Sequence, residues 1–139
     1  YSEDLDWNKR LKSTLINSHC FQTHYFFMKL PQLKSICLDT LSDMKAKDVL
    51  SLDIRNISTF ADWFIIATAS SSRNAKAISN KIIEEVKQNK LHVIGVEGQE
   101  DSEWVLIDCG DVVINVMQQE AREFYDLESL WGETTLILA

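Results

Sequence analysis

Carboxylates two or three residues apart recur along this chain, as Asp4 and Asp6, Asp101 and Glu103, and Asp108 and Asp111. Such a pair on neighbouring strands could hold two metal ions about 4 Å apart and catalyse nucleotidyl transfer. The first pair lies in an aperiodic N-terminal stretch, the second in a loop and the third around a turn, so none stands where two metals would need it. Ser70, Ser71 and Ser72 precede a helical pattern, where they can cap the helix or cradle a phosphate on its free N–H groups. Cys109 beside Gly110 has the makings of a nucleophile, with His92 as the one imidazole after residue 27 to serve as base. Nothing in their order brings the two together, and a turn cysteine can equally be incidental. His19, Cys20 and His24 are metal-ligand types without a second ligand pair at a usual spacing. Gly95-Val96-Glu97-Gly98 is neither a dinucleotide fingerprint nor a P-loop. The residues therefore predict no catalytic centre, no metal and no cofactor.

The elements that must carry any site converge on the run Trp104 to Trp131. Trp104 to Asp108 and Val112 to Met117 are rich in β-branched and aromatic residues, and Asp-Cys-Gly-Asp between them predicts a hairpin. With Asp108 opposite Asp111, Ile107 would face Val112, Leu106 Val113, Val105 Ile114 and Trp104 Asn115. One face is then aliphatic: Val105, Ile107, Val112, Ile114 and Val116 should point at a core. The other carries Trp104, Leu106, Val113, Asn115 and Met117, with Asp108 and Asp111 at its end. That mixture suits a binding surface, or a face on which Trp104 lies under another helix. The following segment places Ala121, Phe124, Tyr125, Leu127 and Trp131 on one helical arc, with Glu128 in its middle. A carboxylate there either snorkels to water at the helix end or meets an Arg or Lys of a partner.

GDVVINVMQQEAREFYDLESLWG, residues 110–132, resembles the signature of the ribosomal silencing factor family, also called Iojap, whose members typically read GDVVVH followed by FYDLE and LW. The resemblance extends upstream through Ala61-Asp62-Trp63-Phe64-Ile65-Ile66-Ala67-Thr68, Ser70 to Arg73, and Val96-Glu97-Gly98. It covers residues 28–132. Asn115 stands where the family usually has histidine, so a role ascribed to that imidazole does not carry over. The resemblance implies a fold similar to the nucleotidyltransferases and a non-catalytic translational repressor, acting under nutrient limitation in the stationary phase. Such a repressor docks on the fourteenth protein of the large ribosomal subunit, at the intersubunit face, and excludes the small subunit by bulk. Family members are often dimeric, so a homodimer of the free protein that hides the binding face is also implied.

Charge sharpens this expectation. Residues 28–96 carry ten Lys or Arg against seven acids, whereas residues 97–139 carry Arg122 alone against eleven acids. Phosphate backbones reward clustered cations, so the acidic part predicts no direct nucleic-acid recognition and favours a basic protein surface. Acidity can also serve solubility alone. Three well-separated cysteines in 139 residues fit a reducing cytoplasm. No apolar run reaches the roughly eighteen residues of a membrane span.

In chain order, residues 1–27 balance at zero charge and resemble neither a signal nor a transit peptide. Met28 reads as a natural start, which makes them an extension ahead of a single domain over 28–133, with 134–139 as a tail. Pro31 suits the first turn of a helix whose core positions are Leu30, Leu33, Ile36, Cys37, Leu41 and Met44, ending near Ala46. Strands are predicted at Val49 to Ile54 and Trp63 to Ala69, a helix with core positions Ala75, Ile78, Ile82, Ile83 and Val86 to about Asn89, and a short strand at His92 to Val96. With the hairpin and final helix, this is a mixed α/β domain with a roughly five-stranded sheet flanked by helices. Leu136 to Ala139 is an apolar stretch without an assigned place. The expected partner-binding residues are Trp104, Leu106, Asp108, Asp111, Asn115 and Met117, with Glu97, Tyr125 and Glu128 beside them. The rival is a metal-dependent nucleotidyltransferase or nucleotide-binding enzyme using Ser70 to Arg73 for phosphate.

Overall fold

The structure, a computed structural model, describes residues 32–131 and 136–138. Helix α1 covers 32–43 and is followed by β1 (Lys47–Asp53), β2 (Trp63–Ala69), α2 (Ser72–Gln88), β3 (Gly95–Glu97), β4 (Trp104–Asp108), β5 (Val112–Gln118), α3 (Gln119–Tyr125), α4 (Leu127–Trp131) and β6 (Leu136–Leu138). The proposed helix start at Leu30 and Pro31 and the candidates His19, Cys20 and His24 lie outside the described residues.

The sheet order is β3-β4-β5-β2-β1-β6. β2 and β5 run parallel and every other neighbour is antiparallel, so β1 to β5 form the mixed five-stranded sheet, with β6 from the C-terminal stretch added against β1. The parallel pair is joined through α2, as a crossover requires. β2 is buried at all seven positions, which explains an apolar run broken only by Thr68: both of its faces are covered.

Two hydrophobic cores result. On one face, Leu33, Cys37 and Leu41 of α1 and Ala75, Ile78, Ile82 and Val86 of α2 pack on Ile65, Val105, Ile107, Ile114 and Val116. The aliphatic hairpin face thus lies where the alternation put it. α2 starts where predicted because Ser71 is its N-cap, its side chain accepting from the Asn74 N–H at 3.0 Å. On the other face, Leu50, Leu52, Ile54, Phe60, Phe64, Ile66, Leu106, Val113, Met117 and Leu127 form the second core. Among the described residues no helix is long and apolar enough to cross a membrane.

Candidate functional site

The hairpin register differs from the sequence expectation by two residues. Trp104 pairs with Met117, Leu106 with Asn115, Ile107 with Ile114 and Asp108 with Val113, and the Cys109 N–H donates to the Val112 carbonyl at 3.0 Å. The turn is therefore Gly110-Asp111 and not Cys109-Gly110. Its first central position needs a positive φ, which Gly110 adopts at 91° and cysteine would resist. A two-residue slip leaves each side chain on its face.

The face itself is not open. Leu106, Asn115 and Met117 are buried, which corrects their assignment to an accessible surface. Its cover comes from Ile54, Phe60 and Ala61 in the β1–β2 connection and from the segment after β5. Asp126 takes a left-handed conformation (φ 47°, ψ 54°) that ends α3, and its N–H bonds to the Arg122 carbonyl. α4 then starts in a new direction, with Leu127 lowered into the second core and Ala121 and Tyr125 packed beside it. A helical wheel drawn through 119–131 misses this break, and Phe124, assigned to the packed arc, is 59% exposed.

Asp108 and Asp111 are also buried, at 3% exposure each, which corrects their assignment to an accessible surface. Asp108 Oδ1 accepts the Gly110 N–H at 2.9 Å, while Oδ2 has no hydrogen-bond partner among the described residues. Burial lifts the Asp108 carboxyl to about 7, against the opposing pull of the Gly110 bond. The Asp111 carbonyl accepts from the N–H groups of Asp62 and Trp63, fastening the turn to the start of β2. Glu128 meets a cation of its own chain: Arg122 Nε donates to its carboxylate.

What remains accessible is a ridge at the other end of β4. Trp104 is half-buried, and its Nε1–H donates to Asn115 Oδ1 at 2.8 Å. The Tyr125 ring lies 4.7 Å from the Trp104 ring at 48°, and Phe124 meets Tyr125 edge-on at 5.1 Å and 82°. Beside this ridge the loop between β3 and β4 is pinned by hydrogen bonds. Ser102 N–H reaches the Gly98 carbonyl at 3.0 Å, and Ser72 Oγ donates to the Asp101 carbonyl at 3.0 Å. Gln118 donates from its backbone to Glu103 and from Nε2 to Ser102, both at 2.9 Å. The end of β3, the loop after it and α3 expose Glu97, Glu100, Asp101, Glu103, Glu120 and Glu123; Arg122, the one cation of residues 97–139, points inward, while exposed Lys76 of α2 borders the loop at Gln99 and Ser102. An aromatic ridge with an acidic rim can recognise a basic protein surface: desolvated aromatics supply affinity and the rim steers encounter. Sequence reasoning missed Phe124, hidden by the wheel, and Arg122, whose signal was its isolation among eleven acids.

The enzyme-like candidates are not brought together. Ser71 caps α2 and Ser72 holds the acidic loop, so both hydroxyls already have partners where a phosphate would sit. Cys109 is fully buried and hydrogen-bonds with Cys37, which together with burial holds its thiol well above the ordinary range; His92 is exposed. Among the described residues no group of three His, Cys, Asp or Glu could hold a metal ion.

The model of the family described as "Ribosomal silencing factor during starvation" matches residues 28–138. A Chromobacterium violaceum protein named ribosomal silencing factor RsfS is 37% identical over 105 residues, 76% of this chain and 86% of that one. Its Bacillus subtilis namesake is 36% identical over 109 residues, 78% of this chain and 92% of the other. A mouse protein named mitochondrial assembly of ribosomal large subunit protein 1 is 29% identical, over 66% of this chain and 41% of its own. A crystal structure of a C. violaceum protein superposes with a TM-score of 0.72 at 36% identity, covering 78% of this chain and 91% of that one.

Proposed function

This chain belongs to the ribosomal silencing factor family, and on that premise we propose that it docks on the large ribosomal subunit and blocks joining of the small one by bulk. The contact is with the fourteenth large-subunit protein at the intersubunit face, in the cytoplasm, under nutrient limitation. The observation that carries this reading is the ridge of Trp104, Tyr125 and Phe124 inside its acidic rim. A fixed, partly apolar anchor on a two-core domain is what steric exclusion requires, and no bond is made or broken. Glu97, exposed on the sheet-edge strand β3, extends the rim. The rim disfavours direct contact with phosphate backbones and favours a basic protein.

The test is co-sedimentation with isolated large subunits, isolated small subunits and joined ribosomes. The protein should travel with large subunits alone, and adding it before joining should lower the yield of joined ribosomes. Sedimentation with neither subunit at micromolar concentration and low salt overturns the reading.

A further inference from the structure

Arg122 is the single cation between residue 97 and the C-terminus, yet its side chain is only 12% exposed. It meets three elements at once. Nε donates to the Glu128 carboxylate in α4, and Nη1 donates to Thr68 Oγ1 at the end of β2 and to the Asp48 carbonyl in β1, each of these two at 2.7 Å. The Asp48 contact depends on an irregularity in the sheet. Between Lys47 and Leu50 the β1–β2 register shifts by one residue, and Asp48 there has a φ of 50°. A bulge of this kind unpairs ladder groups and re-aims them, and here the carbonyl inside it faces α3. The Arg122 carbonyl, meanwhile, accepts the Asp126 N–H at the break between α3 and α4. One residue therefore fastens both sides of that break to the sheet.

Tyr125 is the last residue of α3, three positions after Arg122, and it is the ring on which Trp104 rests. We propose that Arg122 is the positioning residue of the docking ridge: its guanidinium fork fixes α3 and α4 against β1 and β2, and so sets, through Tyr125, the angle at which Trp104 meets the partner. This rests on the ridge being the docking surface. Lysine keeps the charge but offers a compact ammonium in place of a planar fork, so it cannot hold all three acceptors in this geometry.

The experiment is a double-mutant cycle with isolated large ribosomal subunits as the probe, using Arg122→Lys, Trp104→Ala and the pair, alongside the indole N–H resonance of Trp104, assigned by its loss in Trp104→Ala. Arg122→Lys should still melt cooperatively, shift that resonance, and weaken binding roughly fivefold or more, while adding less than about twofold once Trp104 is absent. Undiminished binding by Arg122→Lys overturns the proposal, as does a loss that adds in full to that of Trp104→Ala. Should Arg122→Lys fail to fold, Thr68→Val removes one acceptor without changing shape. It should show the same dependence on Trp104 with a smaller loss, and binding unaffected by it counts against the proposal. If Trp104→Ala alone binds like the parent, the docking surface itself is wrong and the proposal falls with it; weakened Trp104→Ala with full additivity overturns the role of Arg122 alone.

Discussion

Trp104 and Asn115 are joined across the sheet by the indole N–H and the amide oxygen at 2.8 Å, and the same amide donates from Nδ2 to the Ile65 carbonyl at 3.2 Å. One fully buried side chain thus ties the rim tryptophan to the central strand. A neutral imidazole has one acceptor and one donor and could serve the same two groups, which gives a physical reason why histidine and asparagine can exchange at this place. Asn115→Leu removes both side-chain bonds, at about 1 kcal/mol for each. Urea unfolding should show Asn115→Leu well below the parent and Asn115→His close to it; equal stability of the two variants would show that the bonds contribute little.

Asp108 makes stability depend on pH. Its folded-state value of about 7 lies above the roughly 3.9 of an unfolded aspartate, a difference worth on the order of 4 kcal/mol. Between those values the folded state holds a proton that the unfolded state has lost. Stability should therefore be complete below about pH 4, fall as pH rises toward 7, and level off above it. Asp108→Asn can keep the bond from the Gly110 N–H while removing the charge, so its melting temperature should exceed the parent's at pH 8 and match it at pH 4. Parallel pH profiles for parent and variant would remove Asp108 as the cause.

Gly98 holds the acidic loop in place. Its φ is +84°, and a Cβ there would stand 2.1 Å from the Trp104 carbonyl oxygen. Gly98→Ala combines left-handed strain with a backbone clash and should cost about 2 kcal/mol or more. Because the clash is with Trp104 itself, the loss should appear both in thermal melts and in affinity for large subunits. Unchanged values in both assays would mean that the loop relaxes freely.

The parts of the fold legible in the sequence were those written into short stretches. β2 is apolar at every position but Thr68 because both faces are covered, and Ser71 with the Ala75, Ile78, Ile82 and Val86 spacing announces a capped amphipathic helix. The hairpin faces survived a register error because it was an even one. What was not legible depended on single residues acting at a distance. The closing of the Trp104 face turns on one left-handed residue, Asp126, and aspartate enters that region without any signature in its neighbours. Arg122 meets a carbonyl 74 positions earlier in the chain, freed by a bulge that no periodicity reveals.

Phe124 separates binding from stability. Trp104 does not, because it is half-buried, hydrogen-bonded to Asn115 and packed on Tyr125, so Trp104→Ala should lower melting temperature as well as affinity. Phe124 is 59% exposed and touches Tyr125 edge-on. Truncating an exposed side chain of this kind usually moves stability by no more than about 0.5 kcal/mol. An aromatic at the centre of an interface, in contrast, is where binding energy concentrates, and Phe124→Ala should weaken large-subunit binding roughly tenfold, about 1.4 kcal/mol. Raising salt should slow association of both the parent and Phe124→Ala through the acidic rim, leaving their dissociation rates in the same ratio. A Phe124→Ala protein that melts like the parent and binds large subunits equally well would move the docking surface away from α3.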